Sequence, residues 1–159
     1  MIFIEAIILC LFMWGICFIN TGSDEKNLRS FRSYPNEVQE IIMQDDKLKD
    51  KVKPNNVIIT FISNTILFTI ILFIFGLIIS TNDFKTNFLN ILFLGEVLNL
   101  FDLIVIDLVW WRNSNRIRFS KIQDKAMYLN PNKHLKSFVK GIIMFVLVAV
   151  IDGALLSIL

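Results

Sequence analysis

The sequence predicts an all-α integral membrane protein, an antiparallel four-helix bundle of transmembrane helices with both termini outside. Hydrophobic residues make up 55% of the 159 residues and include fifteen Phe, which is too apolar for an ordinary soluble domain. A hydrocarbon layer of about 30 Å needs about 20 helical residues at a rise of about 1.5 Å each. Stretches long enough to cross it occur four times within one predicted membrane domain, 1–159: residues 2–20, 57–80, 87–111 and 138–159.

The basic residues indicate how these spans are oriented. Of the 16 Lys and Arg, seven lie from Lys26 to Lys53 and eight from Arg112 to Lys140. Loops on the cytoplasmic side of a membrane carry an excess of Lys and Arg. We therefore expect loops 21–56 and 112–137 to be cytoplasmic and the short turn between the second and third spans to be outside.

The first span and the loop after it carry two further signals. Glu5 stands where a signal peptide would carry basic residues, so we expect a retained anchor. In the loop, Tyr-Pro-Asn-Glu at 34–37 is typical of a helix start with Pro in the first helical position. Val38, Ile41 and Ile42 then recur at helical spacing. The loop is predicted to hold a short amphipathic cytoplasmic helix between the first two spans.

Polar residues inside the spans mark the candidate site. A charged side chain near the centre of a bilayer costs about 2.5–3.5 kcal/mol on insertion scales, so such residues normally face a bundle interior. The third span carries Glu96, Asn99, Asp102 and Asp107, and all but Asp102 share one narrow helical face. Asn64 in the second span is also costly to hide and needs a partner. We expect this polar face to point into the bundle.

Three carboxylates are predicted to lie at one depth. Counting about 1.5 Å per residue from the cytoplasmic span ends places Glu5, Glu96 and Asp152 about 21–22 Å from that side. Neighbouring carboxylates do not all ionise unless a cation lies between them, so they share protons or bind a cation. If the cation is a metal, oxygen ligands favour Mg²⁺, Ca²⁺ or Mn²⁺. The alternative is that each acid stays protonated and hydrogen-bonds a neighbouring helix.

The second cytoplasmic loop is strongly cationic. It contains seven Lys or Arg together with His134, and Asp124 is its only acid. One interpretation is that this charge only sets the topology. The other is that Arg112, Arg116, Arg118 and His134 contact anionic lipid headgroups or a phosphate group.

These features predict function only at the level of class. The leading hypothesis is a small proton- or cation-coupled transporter or channel of the cell membrane that acts as a homo-oligomer. One alternative is a membrane enzyme acting on a lipid or lipid-linked phosphate, with Asp107 as acid or base. Another is an accessory subunit bound to a larger membrane protein. No sequence motif names a chemistry or a cofactor, and no nucleic-acid partner is expected.

Overall fold

The computed structural model describes residues 1–54 and 56–159, and within those residues it is helical and contains no strand. Helix α5 continues directly into a π-helix, Asp102–Trp111. Short 3₁₀ turns lie between several of the α-helices. The α-helices are α1 (Ile2–Ile19), α2 (Asp24–Asn27), α3 (Asn36–Gln44), α4 (Val57–Ile79), α5 (Phe84–Phe101) and α6 (Asn132–Leu156).

Four of the helical stretches are long and apolar enough to cross a membrane, as predicted: α1, α4, α5 with its π-helical continuation, and α6. Two of them begin earlier than the sequence suggested. The third begins at Phe84 rather than at residue 87, and α6 begins at Asn132 rather than at residue 138. The apolar pattern locates the hydrophobic part of a span, whereas a helix also includes polar turns at its ends.

Contacts divide the chain into two compact units. The first, which we call the helical unit, comprises 1–11, the described part of 55–101, and 138–159. The second, which we call the aromatic unit, comprises 12–54 and 102–137. Each unit is described by itself below.

In the helical unit, small residues set the packing of α5 against α6. Gly95 lies beside the Phe145 ring, Gly141 beside the Asn99 amide, and Gly153 beside the backbone of Phe88. Residue numbers rise along α5 as they fall along α6, so the two helices are antiparallel in a close register.

Helix α4 is packed far less than its neighbours. Its contacts include Gly76 beside Ile91 and Leu156, and an edge-on pair of rings, Phe68 and Phe145, 5.0 Å apart. Only Leu72 and Gly76 are buried among its 23 residues. Most of the surface of α4 is therefore left uncovered by the described chain.

Asn87 fixes the turn between α4 and α5. Its side-chain oxygen accepts from the Thr81 backbone N–H at 2.9 Å, and its Nδ2 donates to the Thr81 carbonyl at 2.7 Å and to Ser157 Oγ at 3.2 Å. Asn87 is almost fully buried at 1% exposure. One amide thus satisfies both backbone groups of Thr81 and ties the turn to the end of α6.

We expect Asn87→Ala to lower the free energy of unfolding by about 1–3 kcal/mol, because it removes the three hydrogen bonds of a buried amide. Denaturant unfolding in detergent micelles measures the change. Asn82→Ala is the matched control, since Asn82 lies exposed in the same turn. Equal effects of the two substitutions would contradict the assigned role of Asn87.

In the aromatic unit, the two predicted cytoplasmic loops pack against each other around a buried hydrophobic core. Tyr34 is fully buried, and its ring lies 5.1 Å from Trp111 and 5.0 Å from Phe119. Burial raises the pKa of Tyr34, and its hydroxyl donates to the Ile117 carbonyl at 2.7 Å. The other buried members of this core are Leu28, Val38, Ile42, Leu48, Ile122 and Tyr128.

Helix α3 is the helix that the loop pattern predicted. Pro35 is the residue before its first turn rather than in it, because its ψ of 153° is extended. Val38 and Ile42 are buried in the core of the aromatic unit, while Ile41 is exposed. The apolar face of this helix is therefore covered by the chain itself.

Polar contacts also join the two segments of the aromatic unit. Asn27 Nδ2 donates to the Arg116 carbonyl at 3.0 Å, and the Ser120 N–H donates to Asp24 at 2.8 Å. Lys121 pairs with Asp45 and holds the pKa of that carboxyl below its usual value. These bonds connect residues far apart in sequence, so they help to hold the two segments together.

Candidate functional site

The clearest polar constellation of the aromatic unit is the pair formed by Asp107 and His134. His134 Nδ1 lies 2.8 Å from Asp107 Oδ2, and the two side chains are only 5% and 13% exposed. Asp107 belongs to the π-helix and His134 to the first turn of α6. Because an ionised carboxylate only accepts hydrogen bonds, Nδ1 carries the proton of this bond, and Nε2 is the nitrogen at which the imidazole can gain or release a proton.

The π-helix explains why a second acid joins this pair. Its hydrogen bonds run from residue i to i+5, so Asp102 and Asp107 stand about one turn apart on one face. Asp102 is close enough to interact electrostatically with both Asp107 and His134. In an ordinary α-helix, five residues would point these acids in different directions, which is why the sequence placed Asp102 at the edge of the polar face.

Trp111 completes the surroundings of His134. Its ring meets the imidazole edge-on, with centroids 5.6 Å apart, and Trp111 is itself buried. His134 Nε2, Trp111 Nε1 and Arg112 Nε are buried and have no hydrogen-bond partner among the described residues. An unpartnered buried nitrogen is costly to maintain, so these atoms are candidates for contact with water or a ligand. Only His134 Nε2 can also accept a proton, because the indole and guanidinium nitrogens are donors.

Two of the arginines predicted to bind phosphate donate hydrogen bonds to backbone carbonyls. Arg116 Nη2 donates to the carbonyls of Phe18 and Thr21 at 3.1 Å, and its guanidinium lies 3.9 Å above the Phe18 ring. Arg118 Nη1 donates to the Gln123 carbonyl at 3.2 Å. The sequence grouped His134 with these arginines, whereas the structure pairs it with Asp107. Headgroup binding by Arg112, Arg116 and Arg118 stays a prediction.

The helical unit contains the other acids of the predicted site. Asp152 is fully buried and Glu5 is 5% exposed, and no described residue hydrogen-bonds their carboxyl oxygens. Glu96 Oε2 accepts from Asn99 Nδ2 at 3.3 Å, while Oε1 is buried without a described partner. Asn99 also donates to the Phe138 carbonyl at 3.2 Å, so it links Glu96 to α6.

The register of α5 and α6 corrects the predicted common depth of Glu96 and Asp152. Gly153 lies beside Phe88 and Gly95 beside Phe145, so Asp152 is level with the first turns of α5 and Glu96 with the middle of α6. About seven residues separate the two levels, or about 11 Å along the axis. The difference arises because α6 begins at Asn132, six residues before the predicted start of the fourth span at residue 138.

Glu5 and Glu96 do lie at similar levels. The rings of Phe3 and Phe93 meet edge-on at 5.6 Å, which places the start of α1 beside the middle of α5. The described residues contain no group of three His, Cys, Asp or Glu side chains that could hold a metal ion. Cation binding by Glu5, Glu96 and Asp152 stays a prediction. Asn64 is exposed on α4.

Comparison with models of known protein families, with curated protein sequences and with solved structures gave no match for this chain. The site is therefore interpreted from its own chemistry.

Sequence reasoning missed two residues that matter in these arrangements. The sequence marks Trp111 only as the end of the third apolar span, although Trp111 packs on His134 and Tyr34. Asn87 was counted only as the start of a span, although it fixes the turn before α5. Its position three residues after Phe84, in the first turn of a helix that follows a short polar turn, was a usable signal.

Proposed function

We propose that this chain is a multi-pass protein of the cell membrane that moves protons or cations, with both basic segments on the cytoplasmic side. The observation that carries the proposal is the buried pair of Asp107 and His134, with Asp102 one π-helical turn away. Histidine changes its charge near neutral pH, and a buried histidine held by a carboxylate is suited to accept and release a proton.

The chemistry at this pair is a reversible proton transfer. In the neutral form of the imidazole, His134 Nδ1–H donates to Asp107 and Nε2 holds a lone pair. A proton that arrives at Nε2 produces an imidazolium, which the Asp107 carboxylate stabilises. Asp102 is the next protonatable group within electrostatic range. No bond other than those to the proton forms or breaks.

The remaining acids are consistent with the same role. Glu5, Glu96 and Asp152 are protonatable groups within or beside the apolar spans, and several of their oxygens have no described partner. An acid used only for structure would be expected to hydrogen-bond a neighbouring helix. Carboxyl groups that exchange protons or cations need such free oxygens.

A second candidate function is acid–base catalysis on a lipid or lipid-linked phosphate. The unpartnered Nε2 of His134 favours it, because a histidine oriented by a carboxylate is also a common general base. Arg112 would be the phosphate contact, since Arg116 and Arg118 donate to backbone carbonyls. Proton transfer needs no room for a bulky headgroup beside a buried Nε2, so we place it first.

The proposal is tested in liposomes that contain a pH-sensitive dye and are energised with a potassium gradient and valinomycin. We expect the protein to admit protons faster than empty liposomes do. His134→Gln and Asp107→Asn should each reduce that rate at least tenfold, because each removes one member of the proton-exchanging pair. The control is Lys136→Gln, an exposed position on the same helix, which should leave the rate unchanged.

A rate equal to that of empty liposomes would contradict the proposal that the protein moves protons. Variants that retain the full rate would contradict it as well. The same measurement in liposomes loaded with a Mg²⁺ or Ca²⁺ indicator tests whether the protein moves divalent cations. Release of phosphate from anionic lipid, abolished by His134→Gln, would favour the enzyme instead.

A further inference from the structure

We infer that α4 is the interface for a second copy of this chain and that the Asn64 amides of the two copies hydrogen-bond to each other. This inference does not depend on what the protein transports or catalyses. It rests on the exposure of α4, on the chemistry of Asn64 and on the spacing of the residues around it.

The first observation is the poor cover of α4. This helix is long and apolar enough to cross a membrane, yet only Leu72 and Gly76 of its 23 residues are buried. By comparison, α5 buries six of its 18 residues. Lipid alone can cover the apolar part of such a surface, so exposure by itself does not require a protein partner.

The second observation is the amide that this surface carries. Asn64 lies seven residues inside α4, about 10 Å from its first residue, and is exposed. No hydrogen bond joins its side chain to another residue in the described part of the chain. Lipid tails offer neither a donor nor an acceptor, so an amide facing them is costly.

The third observation is the spacing around Asn64. Residues that follow it at alternating steps of three and four lie on one stripe of a helix, as in the seam of a coiled coil. Asn64 begins such a stripe, and the four residues that follow it there are apolar; we call these five residues the seam. The seam consists of Asn64, Leu67, Ile71, Ile74 and Ile78, of which Leu67, Ile74 and Ile78 are 52%, 57% and 59% exposed.

These observations select a second copy of the chain as the partner. An amide carries both a donor and an acceptor, so two identical Asn side chains across a two-fold axis satisfy each other. A single Asn in an otherwise apolar seam also fixes register and oligomer number in coiled coils. Interhelical hydrogen bonds of this kind stabilise association within membranes.

The interface is tested with fluorophore-labelled protein in lipid vesicles, by measuring energy transfer as the protein-to-lipid ratio falls. We expect Asn64→Leu to raise the ratio needed for half-maximal association about three- to tenfold. Asn64→Gln keeps an amide and should associate more tightly than Asn64→Leu. Ile62→Ala is the control, because Ile62 is 52% exposed close to Asn64 but faces away from the seam, and it should leave that ratio unchanged.

Disulfide crosslinking locates the face independently, in a background with Cys10→Ala and Cys17→Ala. Leu67→Cys should crosslink to a second copy, whereas Ile66→Cys, equally exposed at 56% on another face, should not. Equal crosslinking at the two positions, or association unchanged by Asn64→Leu, overturns the inference. Association that appears only with a co-purified protein would assign the seam to a different partner and would also overturn it.

Discussion

Tyr34→Ala should lower the free energy of unfolding of the aromatic unit by about 3–5 kcal/mol, the cost typical of deleting a large buried aromatic side chain. Tyr34 has no measurable exposure and contacts the rings of Trp111, Phe119 and Tyr128. Its deletion leaves a cavity where the two predicted loops meet. Denaturant unfolding in micelles, followed by tryptophan fluorescence, measures the change because Trp111 lies beside the cavity.

A graded series separates packing from hydrogen bonding at this position. Tyr34→Phe keeps the ring but removes the donor to the Ile117 carbonyl, so we expect a loss of about 1–3 kcal/mol. Leu129→Ala, at an exposed position of the same unit, should change stability by less than about 0.5 kcal/mol. If Tyr34→Ala were as mild as Leu129→Ala, the aromatic core would not be what stabilises these segments.

The second large effect is expected where α5 and α6 approach most closely. A side chain at Gly95 would start 2.6 Å from Phe145 Cδ1 and 3.0 Å from its Cβ. Phe145 is 3% exposed and also packs edge-on against Phe68, so its ring has little room to move. Gly95→Leu should therefore destabilise the helical unit by about 3 kcal/mol, at the upper end of typical overpacking.

Gly15→Leu is the matched control for this substitution. Gly15 also lies inside an apolar helix, but nothing in the described chain lies within 4 Å of a Cβ built there. Leucine is the better helix former, so Gly15→Leu should leave the temperature of unfolding unchanged or slightly raised. A loss at Gly15 as large as that at Gly95 would show that the effect comes from the helix itself rather than from the contact with Phe145.

Composition and periodicity were sufficient to predict the four apolar helices. Burial in a membrane or a core constrains every residue over about 20 positions, so the signal is long and redundant. Helix α3 was predicted for a similar reason, since Val38 and Ile42 repeat at helical spacing behind a Pro start signal. Such features depend on residues near each other in the sequence.

Polar residues inside the spans could be recognised from the sequence, but their partners could not. The cost of a charge in lipid singled out Asp107 and Asp152, whatever their surroundings. The pairing of Asp107 with His134, at 2.8 Å, depends on a π-helix and on an early start of α6. Both are decided by packing, because a shift of a single helical residue turns a side chain by about 100°.

The sequence by itself determined the class of this protein, its four apolar helices and the acids that need an interior. Only the tertiary structure decided that segments 21–54 and 112–137 fold around Tyr34, that His134 joins Asp107, and that Asp152 lies about 11 Å along the axis from Glu96. The physical reason is the range of the interactions. Hydrophobicity and helix propensity act on local sequence, whereas register and side-chain pairing depend on contacts between residues as far apart as Tyr34 and Ile117.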